Sequence, residues 1–446
     1  MDDAARLALT RTTDPEPTPR SGGYGRGARI LSIGIATTGV VTFAYFSVAS
    51  YVLDDAAYTQ ISLLWALLFV IVSVIYRPIE QLLSRTIADR RARGIEHGHP
   101  LRTPMLLQAS FALTFLVLAL ALRGPIQDDL FDGSETLYWI LVAGVLAYAA
   151  SYFARGWLAG HQWFGLYGGL VFLEACSRLL FAVAVAVGLA EGQSAVAMGM
   201  AAAPLVSLVV VPWAFSRRPP AAEGKRVPDE LGLGRGGRFA VAVLAVMLAE
   251  QTLLNAAVLT VNATANDAAT AGLVFNALLI ARAPLQLFQA IQGSLLPHLA
   301  GLQATDGSDE FSKAIRITVL AIAGFAGAVA LGLLVLGPWA MDLLFHDSFT
   351  YGRWGLAVVA LGMGAHLVAG TLNQAALARD RAPAAAAAWL FSAAAFVGFM
   401  LSSLVDDQLL RAEVGYFGAA ALLCALLAVV YRTSSGASPR RAQASA

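Results

Sequence analysis

Charged residues are scarce in this sequence. Asp, Glu, Lys and Arg make up 13% of its 446 residues, whereas about a quarter is usual in soluble domains. Hydrophobic residues make up 58%, and apolar runs of about 20 residues, the length needed to cross a bilayer, recur along the chain. The composition therefore excludes an ordinary soluble globular protein and predicts an integral membrane protein.

Cysteine and histidine are also rare. Cys176 and Cys424 both lie within apolar runs, so neither a disulfide framework nor a thiolate metal site is predicted. The six histidines show no ligand-like pairing on one helix face, and the phosphate-binding motif GxxxxGK[ST] does not occur. We predict no metal, no cofactor, no catalytic residue and no nucleic-acid partner.

Twelve apolar runs are long enough to span a membrane. They cover residues 29–52, 57–80, 103–123, 136–155, 166–189, 194–214, 239–262, 270–296, 314–336, 354–377, 384–404 and 412–431. The predicted fold class is an all-α membrane protein of about 12 transmembrane helices in two six-helix bundles. The predicted organisation is a disordered cytoplasmic tail at 1–28, an N-terminal bundle at 29–215, a cytoplasmic linker at 216–238, a C-terminal bundle at 239–431 and a cytoplasmic tail at 432–446.

The distribution of basic residues predicts the orientation. With these spans, the loops of one side contain only Arg123, Arg353 and Arg411, and they are rich in aspartate, as at Asp54 and Asp55. Most other arginines and lysines fall on the opposite side. Because basic residues accumulate in cytoplasmic loops, we predict that both termini are cytoplasmic and that the protein lies in the cell (plasma or inner) membrane.

Two short internal similarities relate the halves. "GRGARI" at 25–30 precedes the first span as "GRGGRF" at 234–239 precedes the seventh, and "RPIEQLLS" at 77–84 matches "RAPLQLFQ" at 282–289. Since each half has an even number of spans, both halves would have the same orientation in the membrane. Repeats of this kind are typical of carriers, whose substrate site lies between the repeats.

Polar side chains recur on spans two and eight. Arg282, Gln286 and Gln289 are spaced i, i+4, i+7 and share one helix face, and Arg77 and Gln81 repeat the spacing on span two. Charged groups at membrane depth usually face a bundle interior. We therefore predict that both stripes face a cavity, although a headgroup contact of Arg77 at the membrane surface is the alternative.

Acidic residues also occur within the spans. Glu250 lies mid-span near Asn255, and is predicted to be protonated, paired with a deep arginine such as Arg282, or a coupling site for a proton or cation. An ion-paired structural contact between helices is the alternative. Glu174 and Arg178 are spaced i, i+4 with the acid first, which predicts a structural ion pair within one helix.

This pattern resembles a known family. The segments "PIEQLLSRTIADRRARG", "ARGWLAGHQWFGLYG" and "LNQAALARDR" end spans two, four and ten. With the two six-helix halves, they are similar to the polysaccharide transporters of the multidrug/oligosaccharidyl-lipid/polysaccharide exporter superfamily, the O-antigen-type lipid-linked oligosaccharide flippases. The resemblance implies a V-shaped bundle whose central cavity is lined by helices one, two, seven and eight, which would bring Arg77, Glu250 and Arg282 together.

The resemblance also implies a function. A flippase of this family moves a polyprenyl-(pyro)phosphate-linked oligosaccharide to the outer leaflet by alternating access, for cell-surface polysaccharide assembly. Arg282 and Arg77 would bind the pyrophosphate, while amides such as Gln81, Gln286, Gln289 and Asn255 would meet the sugar, and Glu250 is the candidate for coupling. The implied partners are the lipid-linked glycan, membrane lipids, and a polysaccharide polymerase or glycosyltransferases.

Three alternatives remain open at this point. A Na⁺- or H⁺-coupled multidrug exporter of the same superfamily would share the fold, but two deep arginines would repel a cationic drug. A membrane glycosyltransferase would use Asp54 and Asp55, yet the outer loops are short for an acceptor site. A peptidoglycan-precursor flippase would have an arginine-rich first helix, and no basic residue lies between Arg29 and Arg77.

Overall fold

A computed structural model gives the fold of the chain. It describes residues 22–92, 101–215, 233–264, 270–281, 307–346, 351–379 and 381–435. Over these ranges the chain forms helices joined by turns, and no strand occurs in them. The helices are α1 (Gly22–Val52), α2 (Asp55–Ile75), α3 (Arg77–Ala92), α4 (Arg102–Ala121), α5 (Glu135–Gly160), α6 (Phe164–Ala186), α7 (Gly192–Ser207), α8 (Val211–Phe215), α9 (Leu233–Thr264), α10 (Thr270–Ala281), α11 (Gly307–Leu344), α12 (Arg353–Ala378), α13 (Ala382–Leu401) and α14 (Gln408–Ser435).

The helices confirm the predicted all-α membrane fold. Within the described ranges, 10 helices are long and apolar enough to cross a membrane, counting α2 with α3 and α7 with α8 as single spans. Shorter apolar helices at Thr37–Val52 and Thr270–Ala281 coincide with the first predicted span and the beginning of the eighth. The protein is therefore a multi-pass membrane protein.

Several helices are longer than the apolar runs that predicted them. Helix α1 begins at Gly22 and not at residue 29, and α9 begins at Leu233 and not at 239. Helix α14 extends to Ser435. Hydropathy marks only the part of a helix that lies in hydrocarbon, so polar first and last turns are missed. The rest of the predicted tails and linker, at 1–21, 216–232 and 436–446, lies outside the described residues, and the division into two repeats stays a prediction.

A break in the second span separates α2 from α3. Helix α2 ends at Ile75, α3 begins at Arg77, and the backbone N–H of Glu80 donates to the carbonyl of Tyr76 at 2.9 Å. Pro78 has no N–H and its ring crowds the preceding turn, which explains why the helix is interrupted here. The break places Arg77 and Glu80 in the first turn of α3.

The helices pack into a continuous core. In the first half, α1 packs on α6, α6 on α7, and both α3 and α7 on α5. In the second half, α12 packs between α11 and α14, and α13 packs on α14 and α9. Helix α9 also packs against α2 and α3, and it therefore joins the second half to the first.

Helices α3 and α5 approach each other closely at two glycines. A Cβ atom on Gly156 would lie 2.8 Å from the carbonyl oxygen of Glu80, and one on Gly160 would lie 2.7 Å from the Cβ of Ile87. The two glycines are four residues apart and lie on the same face of α5. Small residues at this spacing let membrane helices pack backbone to backbone, so Gly156 fixes the position of the turn that carries Glu80.

Hydrogen bonds and a ring contact join the two halves at the end of the helix bundle where Asp54 lies. The Tyr58 hydroxyl on α2 donates to the Asn276 side-chain oxygen on α10, and both residues are buried. Next to them, the rings of Phe46 and Phe275 lie 4.7 Å apart. The Ser47 hydroxyl on α1 donates to the carbonyl of Leu344 at the end of α11. These contacts join the two halves at this end, the predicted outer side.

Candidate functional site

Charged and hydroxylated side chains gather where α3, α5 and α6 meet near α9. Such side chains are unusual inside a membrane, because an unpaired polar group in hydrocarbon costs several kcal/mol. We refer to them as the arginine–glutamate cluster. Its members are Arg77 and Glu80 of α3, Tyr148, Ser151, Tyr152 and Arg155 of α5, Tyr167, Glu174 and Arg178 of α6, Ser207 of α7 and Glu250 of α9.

Glu174 is the most buried acid of the cluster, with 2% of its surface exposed. Its carboxylate forms an ion pair with Arg155 of α5 and accepts a hydrogen bond from the hydroxyl of Ser151. The Ser207 hydroxyl, which donates to the carbonyl of Pro204 at 2.7 Å, lies 3.4 Å from the same carboxylate. The predicted ion pair of Glu174 with Arg178 is therefore wrong. Spacing along one helix shows only that a pair is possible, whereas the packing of α5 and α6 supplies a partner from another helix.

Arg178 has a different environment. Its Nη1 donates to the Tyr148 hydroxyl at 2.9 Å, and its guanidinium lies 5.0 Å from the ring centre of Trp65 and 5.7 Å from that of Phe69. A guanidinium over aromatic faces is held by cation–π attraction, which is stronger away from water. Arg178 is therefore a structural residue of the first half, which contacts aromatic side chains of α2 and α5.

Glu80 connects the cluster to the helix break. The Tyr167 hydroxyl of α6 donates to its Oε1 at 2.7 Å. The charge of Glu80 also interacts with those of Arg155 and Arg77. Glu80 therefore lies within electrostatic range of two arginines, one deep in the first half and the other near α9.

Arg77 lies at the contact between the two halves. It is half-buried, and its charge interacts with Glu250 of α9 as well as with Glu80 and the hydroxyl-bearing rings of Tyr152 and Tyr167. Neighbouring protein charges on two sides favour the cavity interpretation over a contact with lipid headgroups. Arg77 and Glu250 therefore lie within range of a charge interaction across α3 and α9, and their joint role in one cavity stays a prediction.

The other predicted site residues are placed as follows. Gln81 is exposed on α3. Asn255 is buried on α9, and its amide donates to the backbone carbonyl and to the side-chain oxygen of Gln251, both at 3.1 Å. Arg282, Gln286 and Gln289 lie outside the described residues, so their convergence with Arg77 stays a prediction.

Sequence reasoning missed Arg155 and Tyr167 as cluster members. Arg155 was placed at the very end of span four because the apolar run stops there, but α5 continues to Gly160. The side chain consequently lies inside the helix bundle, with its guanidinium 4.5 Å from the ring centre of Tyr152. The available signal was the segment "ARGWLAGHQWFGLYG", which contains Arg155, the close-packing glycines and Tyr167.

Comparisons with known proteins identify the fold. No model of a known protein family matches the chain. An uncharacterized protein of Mycobacterium tuberculosis, found in strains CDC 1551 and H37Rv, is 27% identical over 375 residues, covering 80% of this chain and 83% of the relative. That relative is described as uncharacterized, so its name indicates no function.

Solved structures give a stronger likeness. A eukaryotic MATE transporter matches with a TM-score of 0.65 at 11% identity, covering 93% of this chain and 98% of that one. An inward-facing multidrug resistance MATE family transporter of the MOP superfamily matches at 0.65 and 12%, covering 91% and 97%. A variant of the Vibrio cholerae MATE transporter VcmN matches at 0.61 and 15%, covering 92% and 98%. At such identities the likeness shows the fold alone: this chain has the fold of MATE transporters.

Proposed function

We propose that this protein is an alternating-access transporter that moves a polyprenyl-(pyro)phosphate-linked oligosaccharide across the membrane. The observation that carries the proposal is the position of Arg77. It lies at a helix break within the membrane span, at the contact between the two halves, with Glu80 beside it and Glu250 on the facing helix. Carriers bind their substrates between repeats and often at interrupted helices, where side chains and backbone groups are both available.

The chemistry of Arg77 suits an anionic substrate. A guanidinium presents several N–H donors in one plane and binds phosphate oxygens in pairs. In the structure its charge interacts with those of Glu80 and Glu250. An arriving phosphate would compete with these carboxylates, and the released carboxylate would favour taking up a proton or cation. Glu250 is therefore proposed as the coupling residue.

The contacts between the halves at the predicted outer end support alternating access. The contacts of Tyr58 with Asn276 and of Phe46 with Phe275 join the halves on the predicted outer side. Arg77 lies near the opposite end of the same span, about 28 Å along the helix from Tyr58 at 1.5 Å per residue. A substrate would thus reach Arg77 from the cytoplasmic side and leave after the contacts at Tyr58 have opened.

Arg77→Ala is expected to lower transport at least about tenfold, because a charged hydrogen bond to the phosphate contributes about 1.5–3 kcal/mol. Arg77→Lys keeps the charge but cannot bind two phosphate oxygens at once as a guanidinium does. Its transport rate should lie between those of the wild type and Arg77→Ala. The measurement is transfer of a fluorescent polyprenyl-pyrophosphate glycan between the leaflets of proteoliposomes. Arg85→Ala, on the exposed face of the same helix, is the matched control. Glycan transfer by Arg77→Ala at the wild-type rate would contradict the assignment of Arg77 to the substrate site.

Arg282→Ala is expected to leave membrane insertion intact and to stop glycan export. The reason is the predicted stripe of Arg282 with Gln286 and Gln289 on span eight, which repeats that of Arg77. The measurement is surface polysaccharide in cells whose only copy of the gene is the variant, with protein in the membrane fraction quantified in parallel. Normal surface glycan at normal protein levels would remove Arg282 from the site.

A multidrug exporter is the second candidate function, favoured by the MATE fold. An exporter of cationic drugs would use Glu250 and Glu80 as binding or coupling acids, with Arg77 neutralised between them. One experiment on the same proteoliposomes distinguishes the two functions. Uptake of ethidium driven by a Na⁺ or H⁺ gradient, without transfer of the lipid-linked glycan, would favour the exporter. Transfer of the glycan without ethidium uptake would favour the flippase.

A further inference from the structure

One face of α1, in the first half, contacts the C-terminal turn of α11, in the second half. The face consists of Phe43, Ser47, Ser50 and Tyr51, spaced i, i+4, i+7 and i+8. The ring of Phe43 lies 5.5 Å from that of Phe345, which follows α11. The other three residues carry hydroxyl groups, and each hydroxyl is hydrogen-bonded to the last turn of α11 or to the residues that follow it.

Three of the last four carbonyl groups of α11 lie next to these hydroxyls. Ser47 donates to the carbonyl of Leu344. The Tyr51 hydroxyl lies 3.2 Å from the carbonyl oxygen of Leu343 and 3.3 Å from that of Asp342, and its single proton is shared between them. The last four carbonyls of a helix have no partner within it, and the backbone N–H of the next residue bonds the first of the four. The C-terminal cap of α11 is therefore completed by the other half.

Ser50 joins this cap to the backbone of α1. The backbone N–H of His346 donates to the Ser50 hydroxyl at 3.4 Å, and this hydroxyl donates to the carbonyl of Ser47 at 2.8 Å. Ser50 is enclosed, with 1% of its surface exposed, whereas Tyr51 is 52% exposed. The contacts thus extend from the interior of the bundle to its surface, so water can reach the end of α11 as soon as the two helices separate.

We propose that Ser47, Ser50 and Tyr51 form an outer latch, which holds the two halves together until water replaces these hydroxyls at the end of α11. The inference rests on the alternating access of the proposed function and adds to it the step that opens the predicted outer side. Once the helices separate, water bonds the freed carbonyls nearly as well as the hydroxyls did. The outer latch therefore stabilises the joined state by a small amount, as a contact that opens in every cycle requires.

A second, enclosed layer of contacts lies beside the outer latch. Phe46 of α1 contacts Phe275 of α10, and Tyr58 of α2 donates to Asn276 of the same helix. The same end of α1 therefore contacts both α10 and α11. The four side chains of the enclosed layer are at most 1% exposed, whereas Tyr51 of the outer latch faces solvent. Since water reaches the outer latch first, its opening precedes that of the enclosed layer.

The test measures how often the enclosed layer becomes accessible from outside the cell. Ala271 lies on α10 four residues before Phe275 and is fully buried, so Ala271→Cys places a thiol there on a helix that does not carry the outer latch. Intact cells that express the full chain with this substitution are treated with a membrane-impermeant methanethiosulfonate reagent. Labelling of the chain without the substitution, at Cys176 and Cys424, is subtracted. The rate of labelling then reports how often this end opens.

Ser47→Ala and Tyr51→Phe, each combined with Ala271→Cys, are expected to raise the labelling rate about twofold to tenfold, because each removes a hydrogen bond present only in the joined state. The variant that combines both changes should be labelled faster than either alone. Thr59→Val and Tyr138→Phe are the matched controls, since their hydroxyls donate to backbone carbonyls within the first half. The controls should be labelled at the rate of the chain with Ala271→Cys alone.

Two outcomes would overturn the outer latch. One is an unchanged labelling rate in all the latch variants, and the other is an equal gain in the control variants, which would show that loss of any hydroxyl loosens the bundle. Transfer of the lipid-linked glycan by the wild type is measured separately in proteoliposomes. If glycan is transferred but the latch variants are labelled no faster, the outer latch fails alone. If they are labelled faster but no glycan is transferred, the outer latch stands and the proposed substrate fails.

Discussion

Glu174→Ala is expected to destabilise the protein by about 3–5 kcal/mol, because it leaves Arg155 buried without its carboxylate. Ser151 also loses its hydrogen-bond acceptor. Arg155→Met should destabilise to a similar extent, since it leaves Glu174 uncompensated. The measurement is the unfolding free energy of the purified protein in detergent. An exposed pair offers the matched control: Arg123 and Glu135 lie 2.8 Å apart with side chains 44% and 63% exposed, and Arg123→Ala should cost less than about 1 kcal/mol.

The double variant Arg155→Met with Glu174→Leu distinguishes the ion pair from two independent contacts. Replacing both charges of a buried pair by apolar groups is often neutral or stabilising. We therefore expect the double variant to recover most of the loss of either single variant. If the losses simply add, the two side chains are not coupled, and the stability of the first half does not depend on their pairing.

Gly156→Leu is expected to abolish transport and to lower stability by about 1–3 kcal/mol, as overpacking does. Its Cβ would lie 2.8 Å from the carbonyl oxygen and 3.0 Å from the Cα of Glu80. The obstacle is backbone, which cannot rotate away, so α3 must separate from α5 and Arg77 moves with it. The measurements are glycan transfer in proteoliposomes and unfolding in detergent.

The control for this prediction is Gly169→Leu on α6, where an added Cβ would meet nothing within 4 Å. It tests whether leucine in place of a helical glycine is harmful in itself. Gly156→Ala adds only the Cβ and should retain part of the activity. If Gly156→Leu transports as well as Gly169→Leu, the approach of α3 to α5 does not position the site.

The fold could be predicted because the membrane imposes it. Hydrocarbon excludes polar backbone, so a span appears in the sequence as an apolar run, and Pro78 marks the break before α3. The partners of the charges could not be predicted in the same way. Glu174 and Arg178 had suitable spacing, yet Glu174 pairs with Arg155, because the choice depends on how α5 and α6 pack. Arg77 and Glu250 were brought together only by the family resemblance, since nothing local to either helix indicates the other.

The bond between Tyr58 and Asn276 has a kinetic consequence. In the proposed transport cycle it would break and re-form once in every turnover, together with the ring contact of Phe46 and Phe275. Opening would expose groups that are fully enclosed at rest, and a phosphate bound at Arg77 as proposed would lie too far away to contact them. In this proposal the free energy for opening would be transmitted along α2, which begins near Tyr58 and ends just before Arg77. The helix pair α2 and α3, with its single break at Tyr76, would then couple binding at Arg77 to opening at Tyr58. The rate of this coupled movement would set the turnover rate.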